Sequence, residues 1–152
     1  MAGAFRPAEA EQLLFEWEEW ARPEQLPPPG DWVTWLVMGG RGSGKTRAGA
    51  EWIRALATGP QPVSPIALVG ETMSEAIAIM VEGESGLLRL HPPGEAPRLT
   101  GNRLIWPNGA EATVLSASDP DRFRGPQFAA AWADEVAKWP DAEAAWDMLQ
   151  FA

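Results

Sequence analysis

Gly39-Gly40-Arg41-Gly42-Ser43-Gly44-Lys45-Thr46 fits G-x-x-x-x-G-K-[ST], the pattern of a phosphate-binding P-loop. An apolar run over 33–38 precedes it, and the pattern after it predicts a helix over 45–57. The first strand is expected at Trp32 to Met38. Strand, glycine loop and helix together give the pattern a physical content. Glycines let the backbone wrap a phosphate chain with its N–H groups turned inward, beside the positive end of a helix. Gly39, Gly40, Gly42, Ser43 and Gly44 then line the phosphates, Lys45 reaches the β- and γ-phosphates, and the Thr46 hydroxyl binds Mg²⁺. The chain has two lysines, Lys45 and Lys138, and one stands where a triphosphate needs it. A dinucleotide fingerprint fails, because G-x-G-x-x-G counted from Gly40 or Gly42 requires glycine at Lys45 or Arg47.

Composition sets the frame. At 152 residues one domain is expected, large enough to bury a core. We divide it into an N-terminal helix and proline-rich connector over 1–30 and a P-loop core over 31–152. No run approaches the roughly eighteen apolar residues of a membrane span, and the first residues lack a signal-peptide apolar region. Cysteine is absent, which excludes disulfides and thiolate metal sites and fits a reducing cytoplasm. The net charge of −9 argues against a surface that grips nucleic acid all over. That charge is uneven, since Glu9, Glu11, Glu16, Glu18, Glu19 and Glu24 face Arg22 alone in residues 8–24. A local basic surface elsewhere stays compatible with the composition.

Residues 8–21 read as an amphipathic helix with Leu13, Leu14, Trp17, Trp20 and Ala21 on one side. It either packs on the domain or docks a partner. The run Pro27-Pro28-Pro29-Gly30 makes a stiff connector. Ile66-Ala67-Leu68-Val69-Gly70 has the continuous apolar character of a buried parallel strand. Ser74 is the expected N-cap of a helix through Val81. This β-α-β-α order implies an α/β, three-layer fold with a mainly parallel central sheet. Pro107-Asn108-Gly109 between two apolar runs adds an antiparallel hairpin near 103–115.

The second half of the site is expected at Phe128-Ala129-Ala130-Ala131-Trp132-Ala133-Asp134-Glu135. As a strand, 128–133 would put Asp134 at its C-terminal end, where α/β sheets bind ligands. Asp134 would then join Thr46 at Mg²⁺, and Glu135 would polarise the attacking water. Alanine favours helix, and Phe128, Trp132, Val136 and Trp139 also share a helical face, so periodicity leaves both readings open. Glu71, after Leu68-Val69-Gly70, is the rival carboxylate. Arg122 and Arg124 could stabilise charge on a transferring phosphoryl group, or simply pair with Asp119 and Asp121.

Taken together these motifs resemble the large terminase subunit, the DNA-packaging ATPase of tailed phages and phage-derived gene transfer agents. The resemblance rests on Trp20 through Pro27, Gly39 through Trp52, Arg122-Phe123-Arg124-Gly125-Pro126-Gln127, and Trp132 through Glu135 with Trp139, in family order. It implies ATP and Mg²⁺ as cofactors, with Gln25 and Arg22 in the region that contacts adenine. It implies that Arg41 senses the γ-phosphate and that Arg124, beside the Gly-Pro turn, or Arg122 acts as a finger on a neighbouring subunit. It further implies a homo-oligomeric ring, usually a pentamer, on the portal protein of a capsid in the host cytoplasm. A small terminase subunit assists while ATP hydrolysis drives double-stranded DNA inward; no membrane is involved. Family members continue into a nuclease domain beyond this length, so the chain is expected to be a truncated N-terminal piece without nuclease activity. A helicase-type P-loop ATPase and an inert nucleotide-binding or docking module are the alternatives.

Overall fold

The computed structural model describes residues 7–152. Its centre is β1 (Ile66–Gly70), buried at every position as its unbroken apolar run demands. Four strands follow: β2 (Arg98–Thr100), β3 (Arg103–Ile105), β4 (Glu111–Ser116) and β5 (Ala130–Ala133). They form one sheet in the order β2-β3-β4-β1-β5. β1 runs parallel to β4 and β5, with Ile66 opposite Ala112 on one side and Ala130 on the other. β3 pairs antiparallel with both β2 and β4. The sheet is therefore mixed, half its pairings antiparallel, rather than mainly parallel. The hairpin at 103–115 forms as predicted, with Gly109 at φ 90° in its turn. β2 was not expected, because Pro92, Pro93, Gly94 and Pro97 give its approach a loop composition.

Helices cover both faces. α1 (Pro7–Leu13) and α2 (Trp17–Trp20) lead the chain, and α3 (Lys45–Thr58) follows the glycine loop. α4 (Met73–Ala76) runs into a π-turn over Ile77–Val81, and α5 (Ala142–Gln150) comes last. Alternate residues of β1 feed two cores. Ile66 and Leu68 join Ile53 and Ala57 of α3, Met80, Leu104, Val114 and Trp132. Ala67 and Val69 join Leu115, Phe123, Trp139 and Leu149 on the opposite face. The strand alternation thus yields the expected three layers.

Three local expectations are corrected. Residues 31–40 form no strand, and Val33, Leu36 and Met38 are 91%, 74% and 82% exposed. Trp32 instead rests against Trp52 of α3, ring centres 6.0 Å apart, and its Nε1–H donates to Pro28 O. That holds the segment along the helix and leaves β5 with β1 as its one neighbour. The helix predicted over 8–21 breaks into α1 and α2, since the Phe15 carbonyl accepts from Arg54 Nη2 and Leu13 O from Trp20 Nε1. Residues 1–6 of that N-terminal unit lie outside the described residues. Thr72, not Ser74, caps α4, its hydroxyl accepting from Glu75 N at 3.2 Å.

α3 lies close to β5 because residue 49 is glycine: a Cβ there would run into the Trp132 indole. Gly49→Ala, which normally favours a helix interior, is expected here to destabilise by about 1–3 kcal/mol in a urea titration. A second packing feature titrates. His91, buried between Trp106 and Leu87, receives Trp106 Nε1–H on Nε2 and shares 2.9 Å with Leu87 O through Nδ1. Burial, opposed by that carbonyl and aided by Arg54, lowers its pKa to about 4. The unfolded imidazole titrates near ~6.5. His91 therefore contributes full stability above that value and loses it progressively as pH falls towards 4. His91→Met should flatten this part of the pH–stability curve.

Candidate functional site

The glycine loop is built as its composition requires. Gly42 and Gly44 have φ 73° and 80°, and Gly44 is the N-cap of α3, accepting from Ala48 N at 2.9 Å. Ser43 N donates to Gly40 O across the bend, and Gly39 comes so close to Ser43 that a Cβ on it would meet the hydroxyl. Ser43 Oγ is buried without a hydrogen-bond partner. Lys45 folds back over the loop, its ammonium 2.8 Å from Gly39 O and 3.0 Å from Gly40 O. Arg41 is exposed at the loop's tip and makes no ion pair among the described residues. Thr46 follows Lys45 in the first turn of α3.

The connector meets the loop from the outside. Arg22 Nη2 lies 2.5 Å from Ser43 O and its Nε 2.8 Å from Glu24. Gln25 is 6% exposed; its Nε2 donates to Gly44 O at 3.3 Å and its Oε1 accepts from Arg22 N. Arg22 and Gln25 therefore stand at the loop, and both side chains are engaged with backbone. A groove of about 600 Å³ opens beside them, walled by Leu36, Val37, Met38 and Ser43.

The acidic half lies at the C-terminal end of the parallel strands. Residues 130–133 are strand, which resolves the strand–helix ambiguity, and Asp134 follows directly with its N–H on Val69 O. Trp139 Nε1 donates to Asp134 O at 3.0 Å and pins the turn. Glu135 has φ 50°, the one non-glycine residue in the left-handed region among those described. Burial raises the Asp134 pKa, and the neighbouring Glu135 charge adds to it, while Lys45 and Lys138 pull it down. Trp132, two residues before Asp134, packs on Gly49, about one helical turn after Thr46, which brings the start of α3 and the acidic turn together. Glu71 and Glu75 line the same cleft as Asp134, Glu135 and Lys138. No cluster of three or more His, Cys, Asp or Glu residues suits a metal ion among the described residues. Thr46 and Asp134 are hard oxygen donors, and such a pair fits Mg²⁺, which keeps several waters and takes one or two protein ligands.

The two arginines after β4 are paired locally. Arg122 Nε is 2.8 Å from Asp119 and Arg124 Nε 3.7 Å from Asp121, all four side chains at least half exposed. Among the described residues neither has a hydrogen bond to the loop or to Asp134. Phe123 between them is buried and anchors the turn. One network escaped sequence reasoning. Glu51, 2% exposed in α3, pairs with Arg47 at 2.8 Å and Arg54 at 2.7 Å. Arg47 also lies over the Trp17 ring, 5.2 Å from its centre. The i,i+4 and i,i+3 spacings were visible; that the carboxylate would be buried was not.

Comparison with known proteins agrees with this geometry. No curated protein and no solved structure matches the chain. The family described as terminase large subunit, T4likevirus-type, N-terminal, matches residues 36–152, from the segment before the glycine loop through α5. No helix among the described residues is long and apolar enough to cross a membrane. The match spans the loop, the β1–β5 sheet and the acidic turn together, and the chain belongs to the large terminase subunit family, as part of a phage DNA-packaging motor.

Proposed function

We propose that the chain is the ATPase portion of this motor, a P-loop hydrolase that uses ATP and Mg²⁺ to move double-stranded DNA into a capsid. The observation that carries the reading is the approach of the lysine-bearing loop to the acidic turn. Gly49 of α3 packs on Trp132 of β5, which brings the start of the helix and the acidic turn together. Gly39, Gly40, Gly42, Ser43 and Gly44 hold the phosphates through backbone N–H groups. Lys45 leaves the carbonyls of Gly39 and Gly40 to meet the β- and γ-phosphates. Thr46 and Asp134 would hold the magnesium, which would supply positive charge to offset that of the triphosphate. The Glu135 carboxylate takes a proton from water as its oxygen bonds the γ-phosphorus and the bond to the β-phosphate oxygen breaks. Arg41, in cis, steadies the γ-phosphate.

The same reading gives the open sheet edge a use. The apolar segment 33–38 has no regular structure, presents Val33, Leu36 and Met38 to solvent and is joined directly to the loop, so it can add beside β5 and complete a P-loop sheet. Arg124, with Arg122 as the other candidate, would act on a neighbour's ATP in a ring of subunits, a pentamer seated on the portal protein. A small terminase subunit and DNA are the further partners, and the host cytoplasm is the site of action. Exposure of both arginines on one short turn supports a role between subunits.

Two experiments test this. Magnesium-dependent phosphate release should be abolished in Lys45→Ala together with ATP binding, while Glu135→Gln should bind ATP and turn it over ~100-fold slower or less. Equal turnover by wild type and both variants, or none by wild type, leaves a binding or docking module. The strained backbone at Glu135 gives a second signature. Glu135→Gly should be about 1 kcal/mol more stable in urea than wild type yet inactive, as expected where strain serves a site.

A further inference from the structure

The connector that carries Arg22 and Gln25 grips the loop by its carbonyls, and this has a consequence for its amides. A trans peptide unit is planar, with C=O and N–H pointing in opposite directions. Ser43 O is held by Arg22 Nη2 at 2.5 Å, so the N–H of Gly44 points away from the connector. Gly44 O receives both Ala48 N and Gln25 Nε2, at 2.9 and 3.3 Å, so the N–H of Lys45 points away as well. Neither amide donates to another group among the described residues. The connector also seats directly on Gly44, whose missing Cβ leaves room for the Gln25 amide, with Arg22 Nη2 at 3.7 Å from that position. Gly44 has φ 80°, a conformation open to many alternatives for glycine, so the loop alone does not fix these two peptide planes.

We propose that Arg22 and Gln25 are positioning residues for the phosphate cradle: by binding the Ser43 and Gly44 carbonyls they preset the Gly44 and Lys45 amides towards a polyphosphate, whatever base it carries. The inference rests on the P-loop reading but differs from a base-reading role. Gln25 has its carbonyl on Arg22 N and one of its two N–H groups on Gly44 O, in a position only 6% exposed, so the loop backbone is its main partner. The orienting force is charge-assisted at Arg22, the stronger kind of hydrogen bond.

The test separates phosphate from base by titrating the full chain with inorganic tripolyphosphate, ATP and GTP, followed by tryptophan fluorescence. Arg22→Met and Gln25→Met should each weaken tripolyphosphate and ATP by the same factor, about tenfold, the scale of one such hydrogen bond. The ATP-to-GTP ratio and the melting temperature should not change. Arg22→Lys, which keeps a charged donor, should retain most of the affinity; because Arg22 is half exposed, the Lys and Met variants form a comparison that folding does not confound. Wild-type affinity for tripolyphosphate in both Met variants overturns the proposal, and a collapsed ATP-to-GTP ratio in them assigns the residues to the base instead. If wild type binds tripolyphosphate no better than Lys45→Ala, the P-loop reading itself falls, and this inference with it.

Discussion

The Trp132 indole of β5 fills the space that a side chain at residue 49 of α3 would take, and the rest of the site is referred to that contact. α3 begins at Lys45, so its height above the sheet decides where the glycine loop sits. β5 ends at Ala133, so the same contact decides where Asp134 emerges. A helix rises about 1.5 Å per residue and a strand about 3.3 Å, so Thr46, three residues before Gly49, and Asp134, two after Trp132, lie only about 4.5 and 6.6 Å along their elements from the contact. Moving the helix outward by one methyl's width would separate Thr46 from Asp134, the two groups that share one small cation in the function we propose. The constraint is steric, and it sits in the core, away from any charge.

Against that rigid frame the charged groups are held in an incomplete balance. Asp134 sits in a partly buried turn where its charge is disfavoured, Glu135 beside it adds repulsion, and the two lysines of the chain offset both. Lys45 meanwhile rests on two loop carbonyls and Ser43 Oγ has no partner. An unsatisfied buried hydroxyl costs about 1–3 kcal/mol, and a left-handed glutamate costs a comparable amount. Such costs, one on the glycine loop and one on the acidic turn, are the kind a ligand site carries at the expense of stability. In the function we propose, a triphosphate with its metal would bring positive charge to Asp134 and anionic oxygens to Lys45.

The parts legible in the sequence are those governed by local chemistry. The glycine loop, α3 and β1 follow from glycine placement, a helical pattern and an unbroken apolar run, and the Asn108-Gly109 turn announces its hairpin. The acidic turn was legible only with the loop as context, because the alanines of 128–133 suit a helix as well as a strand; pairing with β1 decided the matter. The strand expected at 32–38 failed for a long-range reason. Its composition is right, but Trp32 finds Trp52 on α3, and no term in the local sequence weighs that contact against β5's open edge. The single helix over 8–21 failed similarly, since its break is made by Arg54, 39 residues on from Phe15.

Arg54 shows how the N-terminal segment and the nucleotide loop are joined. Glu51 is nearly inaccessible, and a lone buried carboxylate would cost several kcal/mol, so its two arginines are obligatory. Each arginine then has capacity left over: Arg54 takes the Phe15 carbonyl and Arg47 lies over Trp17. The chain so fastened returns after α2 to lay Arg22 and Gln25 on Ser43 and Gly44. One helix therefore holds the N-terminal segment at its middle and receives it again at its start. A displacement of α1 and α2, by a partner or a neighbouring subunit, would reach the loop through two hydrogen bonds rather than through the core, which leaves the Gly49–Trp132 contact undisturbed while the peptide planes that face the phosphates turn.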